Sequence, residues 1–346
     1  MFEKIKVLVV DDSAFMRKMI SDMINSQPDM TVIDTAKDGE SAILKAQALS
    51  PDVITLDIEM PKKNGLEALK IIKEISKSQV VMVSSLTAEG SLITIEALRL
   101  GAFDFIQKPS GSISLDIDKV KEDLVEKIRY AKGHLKKIKS SVRNLNENRV
   151  FISTLSRNRV INALVLGAST GGPRVLYDVI TRLPEKLGIP VFVVQHMPPG
   201  FTKAFAERIN SSSSLDVVEA KDGDIIRQNC VYIAPGGYHM LIKKDKIKLD
   251  TTPPLHGVRP AADKLFISAS ESYNGNVLGV VLTGMGKDGA AGVKAIKERG
   301  GLVIAQDEAT STVYGMPKAA FETGCVDMVL PDYRICDEIV KMVKRT

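Results

Sequence analysis

The sequence has few residues of the types that build metal sites and disulfide frameworks. Its 346 residues include three cysteines and four histidines, and the cysteines match no zinc-ligand spacing and cannot all pair. No apolar run approaches the roughly 20 residues of a membrane-spanning helix, and the N-terminus, MFEKIKVLVVDDS, lacks the long apolar core of a signal peptide. We therefore expect a cytoplasmic protein without membrane insertion and without a cysteine-based metal site.

The net positive charge of the chain comes from one segment. Residues 119–160 hold twelve Lys or Arg against four Asp or Glu, whereas the whole chain has a net charge of +5. A solvated linker or helix face explains such a segment, although a DNA-binding regulator is the alternative. No helix-turn-helix pattern and no aromatic and basic strand motif follows residue 160, so we expect no nucleic-acid partner. Salt-dependent binding to duplex DNA would distinguish the two readings.

The chain length and the apolar pattern predict two α/β domains. In the N-terminal half, continuous apolar runs alternate with stretches of helical period, which is typical of a doubly wound parallel sheet covered on both faces. The predicted strands are KVLVV (6–10), TVIDTA (31–36), DVITL (52–56), QVVMVS (79–84) and FDFI (103–106).

A helical pattern from Leu115 to Ile138 leads into a polar tract, which predicts a helical and basic linker over residues 126–158 between domains at 1–125 and 159–346. The second α/β alternation predicts a Rossmann-like, mostly parallel sheet, and HMLIKKDKIKLD (239–250) predicts a β-hairpin. Its predicted strands are NALVLG (162–167), PVFVVQ (190–195), CVYIA (230–234), NVLGVVL (276–282) and GLVIA (301–305).

Acidic and polar residues follow the strands of the first sheet, where the carboxyl ends of parallel strands meet. Asp11 and Asp12 follow the first strand, Asp57 the third, Ser84 closes the fourth and Lys108 follows the fifth. Three converging carboxylates repel one another unless a cation neutralises them, and oxygen ligands suit Mg²⁺. Singly, each residue also fits a helix cap or a surface charge.

Taken together, these residues make the first 125 positions resemble a response-regulator receiver domain, whose fold is flavodoxin-like, (βα)5. The resemblance implies that Asp57 is the phospho-acceptor and that Asp11 and Asp12 help it to bind Mg²⁺. It also implies that Ser84 is the switch hydroxyl, Phe105 the switch aromatic residue, and Lys108 the contact to the phosphoryl group. A receiver domain predicts regulation by a histidine kinase and leaves the output open.

The stretch GASTGGP (167–173) follows the first strand of the second domain and matches G-x-S-x-G, in which small neighbours expose a serine on a sharp strand-to-helix turn. The same residues also fit a plain glycine-rich turn. His196 directly follows the next predicted strand, and one βαβ unit would bring it to the same sheet edge as Ser169. Ser169 and His196 are therefore candidates for a nucleophile and its base.

The stretch TGMGKDGAAG (283–292) permits two readings. Its G-x-G-x-x-G spacing is the dinucleotide fingerprint, so a nicotinamide- or flavin-dependent enzyme is an alternative, which thermal protection by the dinucleotide would reveal. However, Asp288 inside the loop would face the pyrophosphate, and the motif comes late in its domain. The same Asp288 suits a triad in which it orients His196. The order Ser, His, Asp disfavours the α/β-hydrolase superfamily.

These residues carry a second resemblance, to the chemotaxis protein-glutamate methylesterases. The matching stretches are GASTGGP, QHMPPGFT (195–202), APGGYHM (234–240), RPAADKLF (259–266) and VVLTGMGKDGAAG (280–292). Ala261 departs from the family pattern, which often has serine there.

This second resemblance implies a phosphorylation-activated enzyme that hydrolyses glutamate methyl esters on chemoreceptors and deamidates selected glutamines. Ser169, His196 and Asp288 would form the catalytic triad, and the backbone N–H groups of Thr170 and Met285 would bind the oxyanion. Ester hydrolysis would need no cofactor, and Mg²⁺ would serve phosphorylation alone. We expect a monomer whose partners are methylated chemoreceptors and a histidine kinase.

Overall fold

The computed structural model describes residues 4–85, 87–108, 115–141 and 160–344. The chain divides into two compact units, Met1–Asn146 and Glu147–Thr346. None of the described helices is both long enough and apolar enough to cross a membrane. The predicted linker, residues 126–158, is helical as far as Ser141 and then lies outside the described residues.

The first unit is a parallel sheet with the strand order β2-β1-β3-β4-β5. The central strands β3 and β4 are buried along their whole length, because helices cover both faces. This order is the flavodoxin-like one, so the predicted fold is confirmed. The strands are β1 (Ile5–Val10), β2 (Met30–Ala36), β3 (Val53–Asp57), β4 (Gln79–Ser84) and β5 (Asp104–Gln107).

Helices α1 to α4 of the first unit begin at side-chain caps. Ser13, Asp38, Asn64 and Thr87 each accept a hydrogen bond from a backbone N–H of the first helical turn, so those N–H groups are satisfied. The helices are α1 (Ala14–Asn25), α2 (Gly39–Leu49), α3 (Gly65–Ile75), α4 (Ala88–Arg99) and α5 (Leu115–Ser141).

The second unit has a parallel sheet in the order β14-β13-β12-β6-β7-β9-β8 and a separate antiparallel hairpin, β10-β11. The predicted mostly parallel sheet and the hairpin are confirmed. The strands are β6 (Ala163–Ala168), β7 (Val191–Gln195), β8 (Asp216–Glu219), β9 (Cys230–Ile233), β10 (His239–Lys243), β11 (Lys246–Asp250), β12 (Val277–Val281), β13 (Leu302–Gln306) and β14 (Met328–Leu330).

Helix packing in this unit brings a helix N-terminus to the middle of the sheet. Phe266 is fully buried and packs against Gly167 and Gly292, where a side chain larger than hydrogen would collide with it. This contact packs α8 against β6. The helices are α6 (Gly172–Thr181), α7 (Phe201–Asn210), α8 (Ala262–Ser272), α9 (Ala290–Glu298), α10 (Met316–Glu322) and α11 (Asp332–Lys344).

Candidate functional site

The three residues predicted to form a triad lie at one edge of the second sheet. Ser169 follows β6, His196 follows β7, and Asp288 lies in the loop between β12 and α9. Because β6 pairs with both β7 and β12, their carboxyl ends are neighbours at the point where the strand order reverses. The backbone N–H of His196 donates to the carbonyl of Ala168 at 3.1 Å, which joins the two turns directly.

Asp288 holds the imidazole of His196. His196 Nε2 lies 2.7 Å from Asp288 Oδ2, and both side chains are largely buried. This contact leaves Nδ1 as the ring nitrogen that can accept a proton. Within the described ranges, Ser169 Oγ forms no hydrogen bond with His196. A hydrogen bond between a nucleophile and its base is often long in structures without substrate.

Asp288 also caps the N-terminus of α8. Its Oδ2 accepts from the backbone N–H of Ala262 at 2.6 Å, and its Oδ1 accepts from those of Asp263 at 2.9 Å and Gly289 at 3.0 Å. Burial raises the pKa of this carboxyl group, but the hydrogen bond and charge of His196 and the backbone donors outweigh burial and hold the pKa below its usual 3.8. The carboxylate is therefore ionised near neutral pH.

The unusual Ala261 occupies the N-cap of α8, where it offers no side-chain acceptor. Asp288 satisfies the N–H groups of the first turn instead, so the helix start does not depend on a serine at this position. The N–H of Ala261 donates to Nδ1 of the buried His239 at 3.2 Å. The departure from the family pattern is thus accommodated by two neighbouring side chains.

A tight turn presents Ser169. Gly171 has a φ of +77°, and a Cβ there would lie 2.4 Å from Thr312 Oγ1, so only glycine fits. The N–H of Gly172 donates to the carbonyl of Ser169 at 2.8 Å and starts α6, with Pro173 in its first turn. The serine therefore stands between the end of a strand and the positive end of a helix dipole.

The two predicted oxyanion residues contact each other through their side chains. Thr170 Oγ1 donates to Met285 Sδ at 3.1 Å, which ties the serine turn to the loop after β12. In the part of the chain that the structure describes, the backbone N–H of Met285 has no hydrogen-bond partner. It is available to a negatively charged oxygen beside Ser169.

The glycines of the 284–289 loop have a packing role. A Cβ on Gly284 would lie 2.8 Å from Ser169 Cβ and 2.4 Å from Met316 Sδ, so the missing side chain lets this loop approach the serine. Gly286 and Gly289 have φ values of +77° and +93°. The loop whose glycine spacing resembled a dinucleotide fingerprint thus packs beside Ser169.

Sequence reasoning missed two buried polar residues that support the site, Gln195 and Thr283. Gln195 ends β7 and donates to the carbonyls of Ser169 and His196. Thr283 Oγ1 donates to the carbonyl of Thr170 at 2.9 Å and accepts from Val313 N at 3.0 Å. Gln195 closes the buried apolar strand β7, and Thr283 lies two residues beyond the end of β12. A polar residue at the end of a buried apolar run was the signal that could have identified both.

The carboxyl edge of the first sheet brings the predicted receiver residues together. Lys108 Nζ lies 2.8 Å from Asp57 Oδ2 and 3.1 Å from Asp11 Oδ2. Burial raises the pKa of Asp57 to about 6, with a further rise from the charge of Asp11 and an opposing effect from Lys108. Two buried carboxylates thus share one lysine.

Asp11, Asp12 and Asp57 present oxygen atoms that all lie within 4.8 Å of one another. Three carboxylates at this spacing are the donor set that Mg²⁺ prefers, and a divalent cation would relieve the repulsion that the single lysine leaves. The residues therefore fit the predicted Mg²⁺ site.

The predicted switch residues lie beside this cluster on β4 and β5. Ser84 is fully buried, and its Oγ accepts from Thr94 Oγ1 at 2.8 Å, which connects the end of β4 to α4. Phe105 is also buried, and Lys127 of α5 donates to its carbonyl at 2.6 Å. Ser84 thus connects the end of β4, the strand next to β3 and Asp57, to α4.

Comparison with known proteins gives consistent matches over both units. A family model for CheB methylesterase matches residues 164–339, and one for the response regulator receiver domain matches residues 7–117. A protein-glutamate methylesterase/protein-glutamine glutaminase of Clostridium acetobutylicum is 50% identical over 351 residues, covering 99% of each chain. A protein of the same name from Thermotoga maritima is 49% identical over 346 residues, covering 98% of each.

A solved structure is also similar. The crystal structure of the Thermotoga maritima CheB methylesterase catalytic domain has a TM-score of 0.51 and 45% identity, and covers 53% of this chain and 99% of that one. The family resemblance inferred from the sequence is confirmed. The chain is therefore an enzyme of the CheB methylesterase family, in which a response regulator receiver domain precedes the methylesterase domain.

Proposed function

We propose that this enzyme hydrolyses glutamate methyl esters on chemoreceptors, and deamidates selected receptor glutamines, under control of phosphorylation at Asp57. The observation that carries the catalytic part is the pair formed by His196 Nε2 and Asp288 Oδ2, 2.7 Å apart at the sheet edge from which Ser169 projects. A histidine held by a buried carboxylate beside a serine on a tight turn is suited to nucleophilic acyl transfer.

Acylation begins when Ser169 Oγ attacks the ester carbonyl and its proton moves to Nδ1 of His196. The imidazolium that forms is stabilised by Asp288, which accepts from Nε2 throughout. The N–H groups of Thr170 and Met285 are the proposed donors to the oxyanion. The tetrahedral intermediate then collapses as His196 returns the proton to the departing methoxy oxygen, which releases methanol.

Deacylation reverses these roles with water as the nucleophile. His196 takes a proton from water as its oxygen adds to the acyl carbon, and then gives that proton to Ser169 Oγ as the serine leaves. The receptor side chain is released as a glutamate. A glutamine substrate follows the same route with ammonia in place of methanol, so one triad serves both reactions.

Regulation is assigned to the receiver domain. A carboxylate oxygen of Asp57 attacks the phosphorus of a phosphohistidine on the donor, which we take to be a histidine kinase. The P–N bond breaks, the histidine of the kinase leaves, and Lys108 pairs with the transferred phosphoryl group. Mg²⁺ held by Asp11, Asp12 and Asp57 would supply positive charge for that group. Ser84 and Phe105 would then change position as the switch residues. Movement of Ser84 would shift α4 through the hydrogen bond from Thr94.

The domain order suggests how phosphorylation could act. We propose that the unphosphorylated receiver domain inhibits the methylesterase domain, and that phosphorylation relieves this inhibition. A fragment that begins near residue 150 should then hydrolyse esters faster than the unphosphorylated full-length chain. An equal or lower rate would rule out inhibition by the receiver domain.

The proposed function is tested by methanol release from methylated receptor membranes. We expect the full-length chain to release methanol, and to do so faster with a small phosphodonor and Mg²⁺. Ser169→Ala should reduce release to the rate without enzyme under both conditions. Substantial release by this variant would exclude Ser169 as the nucleophile, and release that does not respond to the phosphodonor would exclude the regulatory part.

A further inference from the structure

One buried amide contacts the backbone of both the proposed nucleophile and the proposed base. Gln195 is the last residue of β7, and its side chain is 2% exposed. Its Nε2 donates to the carbonyl oxygen of Ser169 at 3.0 Å and to that of His196 at 3.2 Å. The two turns that carry the reacting groups are thus joined through a single side chain.

Among the described residues, the other contacts of these two turns do not join Ser169 to His196 through a side chain. Ser169 N donates to Thr283 O at 3.0 Å, which ties the serine to the loop after β12. The pairing of β6 with β7 aligns Ala168 with Gln195 and ends there. Beyond that point the strand ladder no longer sets the spacing of the two chains, and Gln195 continues the connection by one more residue.

The amide oxygen, Oε1, indicates that Gln195 has a role besides stabilising the fold. Gln195 Oε1 is buried and has no hydrogen-bond partner among the described residues. A buried acceptor without a partner is destabilising, and an apolar side chain of similar shape would avoid it. The neighbouring helix leaves room for this oxygen, because a Cβ on Gly172 would lie 2.2 Å from it.

We propose that Gln195 is a positioning residue for ester hydrolysis, which holds the Ser169 turn at the distance from His196 that proton transfer requires. This inference rests on the proposed function, in which Ser169 attacks and His196 accepts its proton. Gln195 touches neither the substrate nor the reacting atoms in this account. Its effect is on the geometry of the pair, so it should change the rate of acylation and leave substrate binding unaltered.

Gln195→Met tests this directly, because methionine fills a similar volume and cannot donate a hydrogen bond. With phosphorylated full-length enzyme and methylated receptor membranes, we expect kcat to fall by about 10- to 100-fold, the scale of an ångström-sized misplacement, with KM unchanged. Gln195→Glu is the second variant. When protonated it can donate to one carbonyl, and we expect its kcat to lie between those of wild type and Gln195→Met.

Tyr232→Phe is the matched control for loss of a buried polar group. Tyr232 lies on β9 next to β7, is 2% exposed, and exchanges hydrogen bonds with Ile225 and Arg227 through its hydroxyl group. Its removal should lower thermal stability and leave kcat within about twofold of wild type.

Three results would overturn the inference. One is a kcat of Gln195→Met within about twofold of wild type, a second is a fall no larger than that of Tyr232→Phe, and a third is a rise in KM at constant kcat. If Gln195→Met does not fold, a kcat of Gln195→Glu equal to wild type serves as the contrary result. Ser169→Ala separates the two proposals: its activity would refute the proposed function, whereas its inactivity beside a fully active Gln195→Met would refute only the role of Gln195.

Discussion

Asp288 accepts a hydrogen bond from His196 Nε2 at 2.7 Å with the same oxygen that accepts from the first turn of α8, at Ala262 N, at 2.6 Å. One carboxylate thus orients the proposed base and begins a helix whose Phe266 packs across β6. The geometry of the site is therefore coupled to the packing of the second unit. A change at Asp288 should affect both.

Asp288→Asn should lower kcat for methanol release by about 10³- to 10⁴-fold, because an amide does not stabilise the imidazolium and can favour the wrong tautomer. It should also destabilise the protein by roughly 1.5 to 3 kcal/mol, the range for hydrogen bonds to a charged group. Since the pKa of Asp288 is lowered, its stabilising contribution is complete above the usual 3.8 and is lost as the pH falls below that value. Thermal unfolding and kinetics at neutral pH measure the two effects.

Asp327→Asn is the matched control. Asp327 is another buried carboxylate of the second unit, which accepts from Val303 N at 2.9 Å and pairs with Lys297. Its replacement should reduce stability while kcat stays near that of wild type. A kcat of Asp288→Asn within about tenfold of wild type would argue against a triad.

Gly284→Ala should reduce kcat by about 100-fold, because the new methyl group would lie 2.8 Å from Ser169 Cβ and must displace the serine or the loop. Gly133→Ala is the control, because no atom lies within 4 Å of its added Cβ and alanine is favoured in a helix. It should be slightly more stable and equally active. Full activity in Gly284→Ala would show that the close approach to Ser169 is not needed.

Asp57→Asn should leave methanol release at the level of unphosphorylated wild type, whether or not a phosphodonor is present. Asp52→Asn provides the comparison, because Asp52 directly precedes the same strand and pairs with Lys132 at 2.6 Å. That variant should still respond to the phosphodonor. Activation of Asp57→Asn would mean that another residue receives the phosphoryl group.

Stability should depend on pH through His239. This histidine is fully buried, accepts from Ala261 N through Nδ1, and contacts Pro253 O through Nε2 at 3.2 Å. Burial lowers its pKa below the usual 6.5. Below pH 6.5, His239 therefore binds a proton more readily in the unfolded chain than in the folded chain. Its contribution to the free energy of unfolding is complete above pH 6.5 and declines as the pH falls below that value.

The measurement for His239 is the thermal midpoint of the full-length chain at several pH values. His239→Asn keeps an acceptor for Ala261 N and does not titrate, so its midpoint should fall less steeply than that of wild type below pH 6.5. Parallel profiles for the two proteins would contradict the role assigned to His239.

The strand pattern could be predicted because both sheets are parallel and their central strands are buried on both faces. All ten predicted sheet strands lie within one residue of the observed bounds. Two strands were not predicted, β8 and β14, which are the edge strands of the second sheet. At four and three residues, they are too short to show a clear apolar run.

The roles at the site differ in how far the sequence could indicate them. The positions of Ser169 and His196 after adjacent strands follow from the apolar pattern and the rule for strand ends. Two other contacts could not be predicted in this way, the capping of α8 by Asp288 and the hydrogen bonds of Gln195. Each joins segments that are far apart in sequence. Those contacts depend on helix packing, for which a single sequence carries no periodic signal.

Covalent labelling of the nucleophile tests the central claim most directly. The full-length chain, phosphorylated and incubated with a fluorophosphonate, would be digested and its modified residue identified by mass spectrometry while methanol release is followed in parallel. We expect one adduct, on Ser169, with activity lost in proportion to labelling, and no such adduct in Ser169→Ala. Complete labelling of Ser169 with activity retained, or loss of activity through an adduct on another residue, would contradict it.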